Sequence, residues 1–551
     1  MASTGMRGRW IRATAAALAL TLVVTACGGG GDDGGDSGSG DTDAGEPTPG
    51  GKVIYGLEAE TADGWCLPEA QLAISGIQVA RTIYDTLTRP NADGEYEPWL
   101  ASAVEPNEDF TQWTITVRDG VTFHDGTPLD ATVVKNNLDA YRGAYPGRSP
   151  QLFIFTFSNI ASVDLVDPMT VRVTTKVPWT AFDAYLYGSG RVGMMAQAQL
   201  DDATSCADNL IGTGPFVFEE WVPNQKFVAT KNPDYWATDA EGRQLPYLDE
   251  IEYRPIVEVA QRVNALDSGD ISAMHTSDPA TIADLRGQAE AGEISLTESI
   301  EFGEVSYVML NASKPPFDNL KARQALAAAF NFDDYNAIRG KGILTRATGP
   351  FAPGNVGNLE ETDLPSYDVD EAKRLVAEYE QETGQALRFS YTTTQAESTV
   401  ADAQFWQQAA EDAGIEVEIV TVDQSTQIDA ALAGDFQAIA WRNHPGGDPD
   451  EQFVWWQSAS PVNFGRFNNP QVDQLLNDGR SNPDQEARVG IYEDLNRLFG
   501  EEIYNIWNYY TIWSVATATD VHGVRGEGPT SADPFPGLAV GIPPAYMWVE
   551  Q

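Results

Sequence analysis

The sequence predicts an α/β protein of two or more lobes. Runs with the two-residue alternation of strands take turns with runs of helical spacing from residue 52 to residue 510, and chains of that pattern pack helices on sheets. About 500 residues follow the first fifty, more than one hydrophobic core holds, so the chain divides into lobes. No internal repeat is visible that would point to a solenoid.

The first fifty residues stand outside that fold. Arg7, Arg9 and Arg12 are followed by a largely apolar stretch over 15–24. This is the layout of a secretory signal, and the stretch is too short for a permanent span. It ends in Leu22-Val23-Val24-Thr25-Ala26-Cys27, and a glycine run follows. A small residue directly before the cysteine resembles the lipobox of bacterial lipoproteins, in which the cysteine becomes the first residue and is acylated. An ordinary secretory signal with a chance cysteine is the alternative. The resemblance implies a signal over 1–26, lipidation at Cys27 and a location at the extracytoplasmic face of a bacterial membrane. Two or three acyl chains anchor well where one does not. Residues 27–50 are mostly Gly, Ser, Asp and Pro, a composition that stays disordered and gives reach. No later apolar run is long enough to span; the densest, 503–515, is interrupted by Asn505, Asn508 and tyrosines.

Residues 52–57 alternate as a first strand, and 58–68 form a loop carrying Trp65. Residues 70–87 read as a helix with Ile74, Ile77 and Ile83 on its inner face. Residues 110–117 read as a strand, and a turn at Asp119-Gly120 returns the chain into 121–123. A helix starts at Asp130, a capping residue. Residues 163–173 hold two short strands around Asp167-Pro168. A hairpin pairs 212–218 with 226–230, and 251–256 is a further strand. A helix over 260–268 closes at Gly269 before a strand over 271–274. Residues 307–311 form a strand and 320–330 a helix. Helices over 372–380 and 401–413 are each followed by strands, 387–391 and 417–420. The alternation continues through 428–433 and 439–441. Helices over 472–476 and 487–499 lead into 503–510.

The chain carries 34 Lys and Arg against 81 Asp and Glu, a formal charge of -47. Such a surface repels nucleic acid and anionic membranes, and high salt would screen its self-repulsion. With Cys27 lipidated, Cys66 and Cys206 remain. Outside the membrane such a pair is a disulfide candidate, two buried free thiols being the alternative. His124, His275, His444 and His522 are scattered without zinc spacing. Neither Gly-x-Ser-x-Gly nor His-Glu-x-x-His occurs, and acidity alone nominates no catalytic pair. These absences leave a glycosidase built on two of the many carboxylates open, and no cofactor or metal site is expected.

Several stretches together resemble one family. They are Ile83-Tyr84-Asp85-Thr86-Leu87, Trp99-Leu100-Ala101 and the run WTITVRDGVTFHDGTPL over 113–129. Gly212-Thr213-Gly214-Pro215-Phe216 and Lys231-Asn232-Pro233-Asp234-Tyr235-Trp236 follow. Asn311, Lys314-Pro315-Pro316-Phe317 and Arg323-Gln324-Ala325-Leu326 complete the set. The chain is similar over about 51–545 to the extracellular solute-binding proteins of ABC importers, in the oligopeptide-, dipeptide- and nickel-binding group (family 5). The resemblance implies a periplasmic-binding-protein-like fold, type II, class C: two α/β lobes with an additional domain inserted in the first. Carried onto this chain, lobe I is 51–91, 191–300 and 511–551, the additional domain 92–190 and lobe II 301–510.

It also implies no enzyme but a monomer that encloses a peptide or other small solute between the lobes and delivers it to ABC permease subunits with cytoplasmic ATPases. An oligosaccharide, chelated nickel or a purely structural surface role are the alternatives. In peptide-binding relatives an aspartate at a Trp…Asp-Pro element pairs with the ligand's α-amino group, and Asp448 of the run AWRNHPGGDPD over 440–450 takes that place. Its alternative is to cap the turn at Pro449. Where the family often has a shorter run, this chain carries Asn443-His444-Pro445-Gly446-Gly447, which leaves peptide specificity open. Further ligand candidates are Trp65, Trp441, Asn463 and Arg466. Trp65 lies beyond the first strand, where open sheets bind ligands. The indoles offer stacking faces, and Arg466 a fork for a carboxylate. The alternatives are lobe packing and interlobe salt bridges. Arg323 is expected to pack a lobe, and His124 to be a satisfied turn residue.

Overall fold

A computed structural model describes residues 45–551 except 62, 63, 71, 205, 445, 542 and 543; Cys27 and residues 28–44 lie outside the described residues. Two large sheets organise the chain. The first has seven strands, in the order Ser295–Ser299, Trp513–Thr517, Ala273–Thr276, Lys52–Leu57, Glu250–Pro255, Lys226–Lys231, Phe216–Val222. The second has six, in the order Thr345–Arg346, Asn505–Tyr510, Val305–Leu310, Ala438–Asn443, Arg388–Thr394, Glu416–Val422. The chain passes between them twice, from Ser299 to Val305 and from Tyr510 to Trp513. A third, antiparallel sheet of four strands is built from Ala101–Pro106, Gln112–Val117, Thr170–Thr175 and Ile160–Asp167.

Apolar side chains cover the sheets. One continuous core joins the first sheet to the four-stranded sheet, through residues such as Val53, Ile83, Trp113, Val171 and Trp179. The second sheet is covered on both faces by separate cores, one around Leu326 and Trp406, the other around Tyr307, Trp456 and Trp507. Helices start where acidic or amide side chains cap them: Asp130 accepts from the backbone N–H of Thr132 and Val133, and Asp368 from those of Asp370 and Glu371. Among the described residues, no helix is long and apolar enough to cross a membrane.

The glycines of Gly212-Thr213-Gly214 are required by close approach. A Cβ on Gly212 would sit 1.9 Å from the carbonyl oxygen of Ile83, and one on Gly214 2.6 Å from it. Gly214 N–H instead donates to that oxygen at 2.9 Å. The same contact explains a difference from the sequence reading. The helix expected over 70–87 spans only Ile74–Ile83, because Tyr84 turns to extended backbone where this segment docks. His124 is a satisfied turn residue: its Nε2 contacts Gly214 O at 3.0 Å and its Nδ1 accepts from Gly212 N–H at 3.3 Å. Arg323 is buried and donates to the carbonyls of Phe317 and Glu502 at 2.9 and 3.0 Å.

Candidate functional site

A cleft of about 400 Å³ opens between the two large sheets. Most of its wall comes from the second sheet and its helices. Strand Val305–Leu310 gives Ser306, Tyr307 and Val308; Ala438–Asn443 gives Ala440, Trp441 and Arg442; Arg388–Thr394 gives Tyr391, Thr393 and Thr394. Asn508 and Tyr509 come from the strand that returns to the first sheet. Tyr335, Asp402, Trp406, Gln424 and Gln427 lie on helices. Glu304 sits in a crossing segment, and Ala73 precedes the helix Ile74–Ile83 on the first-sheet side.

Arg442 bridges the cleft. Its Nε lies 3.0 Å from Glu304 Oε2, its Nη1 donates to Ser277 Oγ at 2.8 Å, and its Nη2 lies 3.7 Å from Glu58 Oε1. The guanidinium also stands 5.6 Å from the Trp513 ring centre. Burial raises the Glu304 carboxyl above its usual range while Arg442 pulls it down. Behind Glu58, His275 Nε2 accepts from Glu58 N–H at 3.2 Å and contacts Ser75 Oγ at 3.1 Å. Burial, with Arg262 and Arg442 nearby, lowers that imidazole to about 3, so it is neutral at physiological pH.

At the other end, Asp402 Oδ1 accepts from Arg339 Nε at 2.7 Å, and Tyr335 donates its hydroxyl to the same carboxylate. Burial raises Asp402, and these two partners oppose the rise.

Of the five residues expected at the ligand, the structure places Trp441 in the cleft wall, its indole edge-on to Phe464. The other four lie elsewhere. Trp65 is packed in the core under the first sheet against Trp221 and Phe227, at ring distances of 5.6 and 5.2 Å. Beside it Cys66 and Cys206 are joined in a disulfide. Asp448 is held inside the second half by Arg488, with N–O distances of 2.7 and 3.0 Å, and it caps the turn Pro449–Gln452 by accepting from Asp450 N–H at 2.8 Å. Both oxygens are thus engaged within the protein, which fits the turn-capping alternative for this residue. Asn463 is buried and donates to Phe467 O at 2.8 Å. Arg466 has left-handed backbone, φ 56°, and its guanidinium donates to the carbonyls of Leu432, Pro461 and Asn463. Arg442, Asp402, Tyr335, Thr393 and Asn508 escaped the sequence reading, although Arg442 adjoins Trp441 and Thr393 lies in the run Tyr391-Thr392-Thr393-Thr394.

Residues 95–464 match the model of the bacterial extracellular solute-binding proteins, family 5 (middle region). The chain belongs to this family. Its members bind solutes outside the cytoplasm and are not enzymes. The glutathione-binding protein GsiB of Salmonella paratyphi A is 26% identical over 437 residues, which is 77% of this chain and 82% of GsiB. GsiB of Shigella dysenteriae serotype 1 is 28% identical over 438 residues, with the same coverage of 77% and 82%. Among solved structures, the oligopeptide-binding protein AppA from Bacillus subtilis, in complex with a nonapeptide, superposes with a TM-score of 0.77 at 21% identity. That match covers 92% of this chain and 100% of AppA. AgaA from A. tumefaciens R10, in complex with agropinic acid, gives 0.79 at 23% identity, covering 91% and 99%. The family 5 protein described here has the same two-lobed, type II periplasmic-binding-protein architecture.

Proposed function

We propose that this family 5 protein captures short peptides between its lobes and delivers them to ABC permease subunits driven by cytoplasmic ATPases, held to the membrane by lipid on Cys27. The observation that carries the reading is the cleft: about 400 Å³ walled by aromatic faces, hydroxyls and amides. It lies toward the small end of small-molecule sites, about 300–1,000 Å³, and so suits a short peptide better than a long one. The GsiB relatives, named for binding glutathione, favour the same class. In this reading lobe I is 51–91, 191–300 and 511–551, the additional domain 92–190 and lobe II 301–510. Trp441 contacts the solute.

The test is native followed by denaturing mass spectrometry of the protein as purified. A ladder of short peptide masses is expected. A single glycan or metallophore mass would overturn the peptide reading while leaving solute capture in place. The anchor is tested separately: Cys27→Ser is expected to move the protein from the membrane fraction to the soluble one, and a variant that stays membrane-bound refutes lipidation at Cys27.

A further inference from the structure

One large apolar side chain stands open in the cleft. Ile428, on the helix Gln424–Ala433, lines the cavity and is 37% exposed. Among the described residues of the lining, no other large apolar side chain is as exposed; Tyr391 and Trp406 are buried. A single exposed aliphatic side chain is ordinary on an outer surface. In the wall of a concave site it is surface that a guest's apolar group can cover.

The fold puts Ile428 at one end of the cavity. Strand Arg388–Thr394 runs parallel to both its neighbours, Glu416–Val422 and Ala438–Asn443. Helix Glu397–Asp412 follows the end of that strand, and helix Gln424–Ala433 follows the end of the next. Their first turns therefore stand over the carboxyl ends of the strands, where α/β sheets bind ligands. Thr394 is paired in register with Val422, two residues before Gln424, and its hydroxyl contacts that of Thr399 at 2.8 Å. Ile428 is one helical turn beyond Gln424, so the two residues share a face, and both line the cleft.

The charges of the lining are already paired. Arg442 lies 3.0 Å from Glu304, with Glu58 at 3.7 Å, and Asp402 lies 2.7 Å from Arg339. Among the described residues lining the cleft, Arg442 is the one cation, and the chain as a whole carries a formal charge of -47. A free peptide brings one ammonium and one carboxylate, which offset each other. A further carboxylate on a side chain would enter without a cation to meet it and against the field of the whole protein.

We propose that the cleft selects one apolar side chain of its peptide, seated against Ile428, and refuses a carboxylate at that place. The proposal rests on the peptide reading and names the class of peptide within it: uncharged overall and carrying an aliphatic residue.

The experiment uses the full-length chain in detergent and trialanine carrying Leu or Glu at each position in turn, with affinities measured by calorimetry. At one position Leu is expected to bind about three- to tenfold more tightly than Ala, as a newly buried aliphatic side chain does. Glu at that position is expected to bind about tenfold more weakly than Ala, or worse. Ile428→Ala is expected to abolish the gain from Leu. Ile428→Lys supplies a cation and is expected to reverse the order, so that the Glu peptide binds more tightly than the Leu peptide; a gain of that kind cannot come from misfolding. Equal affinities for Ala, Leu and Glu at every position, or an Ile428→Lys variant that keeps the parent's order, would overturn the proposal alone. Binding of none of the tripeptides would overturn the peptide reading and the proposal with it.

Discussion

The junction between the four-stranded sheet region and the second half of the protein turns on one buried carboxylate. Asp450 is fully buried; it accepts from Arg480 Nε at 2.9 and 3.1 Å and from Trp179 Nε1 at 2.7 Å. Arg480 in turn donates to Tyr185 Oη at 2.9 Å and lies 3.6 Å from the Phe453 ring centre. Asp450→Ala strands a buried guanidinium and frees the Trp179 indole. Breaking such a pair from one side costs about 3–5 kcal/mol. Unfolding entropy of roughly 2.1 cal/mol/K per residue over about 500 residues is about 1 kcal/mol/K, so the melting midpoint should fall by about 3–5 °C in scanning calorimetry. The double variant Asp450→Leu with Arg480→Met removes both charges and is expected to recover most of that loss, because the penalty is the unpaired charge and not the missing attraction. A shift below about 1 °C for Asp450→Ala would refute the reasoning. So would a double variant as unstable as the two single losses added together.

Removing the disulfide by Cys66→Ser with Cys206→Ser frees a segment closed over a separation of 140 residues; a loss of about 2–5 kcal/mol is expected, read as a lower melting midpoint that reductant no longer changes. Arg442→Met removes the bridge to Ser277 and Glu58. The Arg442 side chain is 40% exposed, so the bridge is worth only about 0–1 kcal/mol. Small-angle scattering should accordingly show the ligand-free open population rising by up to about fivefold, and an unchanged scattering curve would show the bridge idle. Asp183 is raised to about 7 by burial, with the Asp448 charge adding to the rise. A folded pKa above the unfolded one means the native state binds the extra proton, so stability falls as pH rises from about 4 through 7. Asp183→Asn should therefore gain in midpoint relative to the parent across that window; a difference independent of pH would contradict it.

The fold was legible where local chemistry is distinctive. The glycines of 212–214 were legible because only glycine tolerates the Ile83 carbonyl at that distance. The strand Ser295–Ser299 was missed because it is polar and half-buried along its whole length, leaving no alternation to read. The helix Pro279–Glu290 was missed although Asp278 caps it, since only Ile282 and Leu285 are buried. The site was less legible. Asp448 reads as a turn-capping or a ligand aspartate alike in sequence; its partner Arg488, forty positions away, is brought to it only by the fold. Trp65 was placed at the cleft by its position after the first strand, but Trp221 and Phe227 claim it. Asp402 sits mid-helix among other acids, and only the fold turns it toward Tyr335 and the cavity.

The two kinds of cross-contact in the molecule differ in strength, and that difference says how the cleft should open. On one side Trp179, Asp450 and Arg480 are buried, and Thr180 N–H adds a bond to Arg480 O at 2.9 Å. Parting them leaves the Asp450–Arg480 pair whole on its own side but breaks the bonds of Asp450 to Trp179 Nε1 and of Arg480 to Tyr185 Oη, each a bond to a charged group worth about 1.5–3 kcal/mol. On the other side the Arg442 bridge is partly exposed and worth about 0–1 kcal/mol. Thermal opening takes the weaker route, so the cleft should part at Arg442 while the Asp450 junction holds and serves as the pivot. A ligand then selects the closed form only by contacts on both walls, and in this cleft the first-sheet wall offers Ala73 with Ser277 and Glu58 close by. Spin labels at Ser277 and Gln424 should report a broad, ligand-narrowed distance distribution, and a pair at Lys176 and Gln485 a narrow one under both conditions. Broadening of the second pair without ligand would show that the junction opens too and would refute the pivot.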